Sequence, residues 1–204
     1  TPVQDPPRLA FLGVRACELA AIAVQDRVFH HRKYEDPIYK ARRERIFLVA
    51  VNCTQAGANC FCTSMKTGPE CQTGFDLAMT ELSNGFVIES GSDRGAAMLT
   101  QLAVEEVSTL EDEAAAAARD QAVQQMTKTL DTDGIRDLLL TRLEHPRWTE
   151  VADRCLSCTN CTMVCPTCFC SSVQEVPNLD ETQVERQRVW DSCFNIDFSA
   201  MGGG

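Results

Sequence analysis

The residues best equipped for chemistry are the cysteines of positions 155–170: Cys155, Cys158, Cys161, Cys165, Cys168 and Cys170. The first four follow the spacing C-x2-C-x2-C-x3-C-P, closed by Pro166. That is the spacing of bacterial ferredoxins, in which thiolates hold [4Fe–4S] clusters. Three thiols on a tightly turning loop converge on three corners of one cubane, and the fourth points to a neighbouring cluster. Pro166 lacks an N–H and has a fixed φ, so it ends the turn. A zinc ribbon would need two C-x2-C pairs separated by a longer loop. Here the pairs are fused, which selects iron and sulfur over zinc.

A second set of thiols lies upstream. The apolar run 9–14 reads as a buried strand, with Cys17 directly after it and a helix over 18–29 that turns Leu19, Ile22, Ala23 and Phe29 inward. The run 46–51, apolar throughout, reads as a strand buried on both faces and ends in Asn52-Cys53. Cys60 and Cys62 follow as a C-x-C pair, then the turn pair Gly68-Pro69. Strand C-termini in α/β sheets share one edge where ligands gather. Cys17, Cys53, Cys60 and Cys62 therefore make a candidate second metal site; the alternative is that Cys17 and Cys53 are small buried hydrophobes. Cys71 stands alone in a polar stretch and is left out. His30 and His31 read as surface residues rather than ligands.

The elements that must position these thiols are mixed. The segment 30–45 is charged and lacks an apolar period. Residues 77–89 predict a β-hairpin turning at Asn84-Gly85, with a helix over 75–82 as the rival reading. Helices are expected over 95–107, over 111–130 with its alanine run, and from an Asp133 cap through 143, with Leu138, Leu139 and Leu140 facing a core. A short helix over 148–154 leads into the cysteine loop. Beyond Cys170 the chain is polar until the stretch that carries Trp190, read as a packing anchor, and Cys193. The expected class is α+β: an N-terminal α/β cluster-binding region (1–110), a helical connector (111–147) and a mainly helical ferredoxin-like [4Fe–4S] module (148–204).

Composition narrows the function. Nineteen basic against 29 acidic residues give a formal charge of −10, which repels nucleic acid and anionic lipid. No apolar run reaches the roughly 20 residues of a membrane span. Twelve cysteines grouped at C-x2-C and C-x-C spacings in a chain with no export pattern point to metal ligands in a reducing compartment. The expected location is cytoplasmic.

With these blocks in view, the chain resembles the iron–sulfur β subunit of cytoplasmic sulfhydrogenases, the NADP-linked [NiFe] hydrogenases. The blocks are Gly13-Val-Arg-Ala-Cys17-Glu, Val51-Asn-Cys53, Cys60-Phe-Cys62-Thr-Ser-Met65, Gly68-Pro69, Gly74-Phe-Asp76, 155–170 and Arg188-Val-Trp-Asp-Ser-Cys193. The iron–sulfur subunit of anaerobic sulfite reductase is similar through the same blocks. The resemblance implies a non-catalytic electron carrier between a [NiFe] hydrogenase module and a flavin/NAD(P)-binding subunit, with two or three [4Fe–4S] clusters in the complete protein. It implies one cluster on Cys17, Cys53, Cys60 and Cys62. It also gives one ferredoxin-type cluster to Cys155, Cys158 and Cys161, with Cys165 serving its neighbour. The family carries a second ferredoxin-type run beyond the glycines that end this sequence, so the chain reads as shortened there, and at Thr1 as well. Cys168, Cys170 and Cys193 are candidates for the vacant ligand positions. The rival of another class is a structural zinc protein used as a docking platform.

Overall fold

A computed structural model describes residues 5–30, 33 and 35–200; the expectation for His31 lies outside them. The chain forms two compact units, Thr1–Ile135 and Arg136–Gly204.

The first unit is built on a four-stranded sheet in the order β1 (Leu9–Arg15), β2 (Ile46–Val51), β3 (Leu77–Leu82), β4 (Gly85–Ser90). β1, β2 and β3 run parallel, and β4 returns antiparallel to β3. The β2 run is buried at Leu48, Val49 and Ala50, as its unbroken apolar sequence requires of a central parallel strand. Around it Val14, Ala16, Leu19, Cys71, Phe75 and Ala78 make the core.

β1 forms where expected, but its burial does not follow. As an edge strand it leaves Leu9, Phe11 and Leu12 exposed and buries only Val14. Its register against β2 shifts between Leu12 and Val14, where Gly13 sits at φ +83. A bulge of this kind re-aims the side chains that follow it, here the turn into α1 (Ala16–Phe29) that carries Cys17. Within α1, Leu19 is buried and Ile22 packs against the core, whereas Ala23 is exposed.

The charged segment after α1 holds a short helix, α2 (Pro37–Arg43), which had no apolar period to announce it. Asp36 starts it by accepting hydrogen bonds from the Ile38 and Tyr39 N–H groups, both at 2.9 Å. The hairpin of β3 and β4 turns at Ser83-Asn84, with Gly85 already paired to Leu82.

The expected helix over 95–107 is confined to α3 (Asp93–Leu99), capped by Ser92. The next, α4 (Thr109–Gln125), opens with a Ser108/Glu111 capping box. It stops short of 130 because its continuation bonds elsewhere. The Leu130 N–H donates to Ser64 Oγ at 3.1 Å, and Lys128 Nζ to Asn59 Oδ1 at 2.8 Å. These contacts draw 126–130 onto the cysteine loop between β2 and β3.

The second unit holds α5 (Ile135–Thr141), whose first residue closes the first unit. It continues with α6 (Arg147–Ala152), α7 (Asn160–Val164), the hairpin β5 (Ser171–Pro177) with β6 (Val184–Trp190), and α8 (Ile196–Ser199). The α+β class stands. The hairpin was not legible, because both of its faces are solvated and its residues show no alternation. Leu138, Leu139 and Leu140 are exposed rather than core-facing: among the described residues this unit buries only Thr162 and Ser192, so no apolar core receives them. Trp190 is 46% exposed, which removes its expected role as an anchor.

Candidate metal centres

The connection between β2 and β3 contains no helix or strand, although parallel strands are usually joined through a helix. A long irregular crossover of this kind is uncommon outside functional loops. Local turns shape it: Cys60 N–H to Gly57 C=O (3.0 Å), Ser64 N–H to Phe61 C=O (3.1 Å) and Thr67 N–H to Cys62 C=O (3.0 Å).

The fold brings the four N-terminal candidates to one rim of the sheet. Cys17 sits exposed in the first turn of α1, while Cys53, Cys60 and Cys62 are half-buried on the crossover. Their mutual influence shows in their acidity. Burial pushes the Cys53 thiol up, the positive charge of Arg15 pulls it back, and Cys17, Cys62 and Cys60 raise it further. The Cys62 thiol is likewise raised by burial and then by Cys17 and Cys60. Burial and mutual repulsion therefore favour the neutral thiols at Cys53 and Cys62, and a bound cation would be what holds them as thiolates.

Cys71, left out above, is 4% exposed, with its Sγ 3.7 Å from the Val51 carbonyl oxygen. It is part of the core. His30 is half-buried, with Nδ1 3.3 Å from a Glu35 carboxylate oxygen.

In the second unit the coil between α6 and α7 carries Cys155 and Cys158, and Cys161 lies in the first turn of α7; all three are exposed. Ser157 (φ +51) and Thr159 (φ +62) lie in the left-handed region, which curls the backbone tightly and is uncommon for such side chains. The Ser157 N–H points at Cys155 Sγ from 3.4 Å. Cys165 follows α7, with Sγ 3.0 Å from Thr167 Oγ1, and hydrogen bonding from Thr167 holds its thiol below the ordinary range. Hydrogen bonding to Cys165 raises its neighbour Cys168, on which Cys193 also acts. Cys170 precedes β5, and its carbonyl accepts from the Asp191 N–H at 2.9 Å.

Three residues that sequence reasoning passed over hold this arrangement. The hydroxyls of Thr162 and Ser192, both buried, meet at 2.6 Å and tie α7 to the turn bearing Cys193. Asp191 braces that turn by accepting from the Ser192 N–H (2.7 Å) and the Asn195 side-chain amide (3.1 Å). A hydroxyl pair far apart in sequence carries no local signal.

Among the described residues, no three His, Cys, Asp or Glu side chains already stand as a closed ligand group. The chemistry of the donors decides the fit. Both sets are sulfur alone, without carboxylate or imidazole, and soft thiolate donors suit iron–sulfur clusters. Cys17, Cys53, Cys60 and Cys62 would hold one cluster, and Cys155, Cys158, Cys161 and Cys165 the ferredoxin-type positions.

Comparison with known proteins bears on the class first. Residues 154–204 match the 4Fe-4S dicluster domain family, so the cofactors are [4Fe–4S] clusters and the chain is an iron–sulfur protein. The particular relative is Sulfhydrogenase 2 subunit beta of Pyrococcus furiosus, 29% identical over 206 residues. That alignment covers 100% of this chain and 60% of the relative, and it bears out the resemblance read from the cysteine blocks. No solved structure matches. Among the described residues no helix is long and apolar enough to cross a membrane.

Proposed function

We propose that this chain is the electron-relaying iron–sulfur subunit of a cytoplasmic hydrogenase complex of the sulfhydrogenase type. It would pass electrons between a [NiFe] hydrogenase module and a flavin/NAD(P)-binding subunit. The observation that carries the reading is the similarity, along the whole chain, to a sulfhydrogenase β subunit, with the ferredoxin-type coil inside the matched dicluster domain. When bound, a [4Fe–4S] cluster supplies one-electron transfer at a potential set by charge, hydrogen bonds and exposure.

The chain's own residues do the rest. The rim thiols hold one cluster partly out of water, and the exposed thiols of Cys155, Cys158 and Cys161 keep another near the surface, where a partner can approach. The acidic balance, enlarged by thiolate-ligated clusters, disfavours adding an electron and suits low-potential donors.

Iron and acid-labile sulfide per chain on anaerobically purified protein, with EPR after dithionite reduction, test this reading. About eight of each, with interacting signals, is the expected result for two cubanes. Cys60→Ala and Cys158→Ala should each remove about four. Zinc without sulfide would overturn the electron-transfer reading and leave a docking protein.

A further inference from the structure

The N-terminal thiols are set by a layer that carries no ligand itself. Asn52, the residue between β2 and Cys53, is 1% exposed. Its backbone N–H donates to the Met79 carbonyl at 2.8 Å, extending the pairing of β2 with β3. Its side chain then works in two directions. Oδ1 accepts from the Cys71 N–H at 2.7 Å, and Nδ2 donates to Thr80 Oγ1 at 2.9 Å. One buried amide thus fastens the end of the segment 66–71 to two strands.

That segment is bonded to two of the half-buried cysteines, Cys53 and Cys62, on the other side. The Cys53 N–H donates to the Pro69 carbonyl at 3.2 Å, and the Thr67 N–H to the Cys62 carbonyl at 3.0 Å. Its Gly68 stands so close that a Cβ there would lie 3.1 Å from Cys62 Sγ and 3.2 Å from Ala16 Cβ. The segment is a wall against which the Cys53 and Cys62 backbones are set, with Ala16 beside Cys17.

We propose that Asn52 is the positioning residue of the N-terminal [4Fe–4S] site, its buried amide locking the wall 66–71 that orients Cys53 and Cys62. This rests on the reading of Cys17, Cys53, Cys60 and Cys62 as a cluster site. The role calls for a side chain satisfying a donor on one side and Thr80 on the other. Leucine has a comparable size but leaves the Cys71 N–H without its acceptor in the interior and Thr80 Oγ1 with the long 3.5 Å contact from Arg119 Nη1, which a buried polar group resists. Aspartate keeps both contacts, because the Thr80 hydroxyl can turn to donate, but it adds a negative charge beside the thiols.

The test uses the full chain reconstituted anaerobically with iron and sulfide, comparing Asn52→Leu, Asn52→Asp and Cys60→Ala by iron content, EPR, midpoint potential and circular dichroism. Asn52→Leu should lose the same about four irons as Cys60→Ala while the ferredoxin-type signal persists. Asn52→Asp should keep the iron at a more negative potential. A folded Asn52→Leu protein with wild-type iron and potential overturns the inference. Where Asn52→Leu does not fold, Asn52→Asp decides: iron kept at a lowered potential upholds the role, and iron kept at the wild-type potential or lost from a folded protein overturns it. A Cys60→Ala protein with unchanged iron brings down the site reading and this inference with it. An effect of Cys60→Ala beside none of Asn52→Leu overturns the inference alone.

Discussion

Cys53 leaves a strand whose three central residues are buried, whereas Cys155 follows a six-residue helix that buries nothing. In the first unit the sheet buries Leu48, Ala50 and Ala78 in one core cluster with Val14, Ala16 and Leu19. Burying a side chain the size of Leu48 contributes about 1.5–3 kcal/mol. Around the second, the described residues offer one buried hydroxyl pair and surface ion pairs such as Arg147–Glu150 and Arg186–Glu175. Exposed pairs of that kind contribute about 0–1 kcal/mol each. The difference leads to an expectation: the N-terminal thiols should keep their arrangement without a bound group, while the ferredoxin-type coil should depend for much of its order on one, as small metal domains do.

The largest expected effect is on the coil. Anaerobic removal of iron and sulfide under reducing conditions should bring the amides of 155–170 to unprotected hydrogen-exchange rates, while those of β2 and β3 stay protected. Equal loss of protection in both regions would erase the contrast. A smaller effect works from the opposite side. Leu48→Ala should cost about 2–5 kcal/mol, read as an early melting transition of the first unit, with the EPR signal of the ferredoxin-type cluster retained. A variant whose two regions fail together would show that the second unit leans on the first.

The smallest effect concerns Cys71, whose thiol burial pushes up to about 12. An unfolded chain ionises a cysteine near 8.5. Between those values the folded state keeps a proton that the unfolded state gives up, so stability falls as pH rises. The denaturant midpoint of the first unit should therefore drop between pH 8 and pH 10.5, and Cys71→Ala should flatten that slope. An unchanged slope in the variant would place the titration elsewhere.

Much of the candidate site was legible because its signals are local. Ligand spacing on a turning loop is a property of neighbouring residues, so Cys155, Cys158, Cys161 and Cys165 could be named as candidate ligands from the sequence. The unbroken apolar run of β2 likewise announced a buried strand that delivers Cys53. Illegible were the features that depend on partners distant in sequence. The alanine-rich helix ends at Gln125 because the residues after it bond to Asn59 and Ser64. Leu138 to Leu140 look like a core face, yet they stay exposed, because among the described residues their unit buries no apolar side chain.

By itself, then, the sequence determined where the closely spaced thiols lie and which strand leads to Cys53. Only the tertiary structure decided what holds those atoms in place: the amide of Asn52 clasping Cys71 and Thr80, and the hydroxyls of Thr162 and Ser192 meeting across 30 residues. The physical reason is that a hydrogen bond between buried groups specifies its partner by position in space, and no periodicity along the chain records that position.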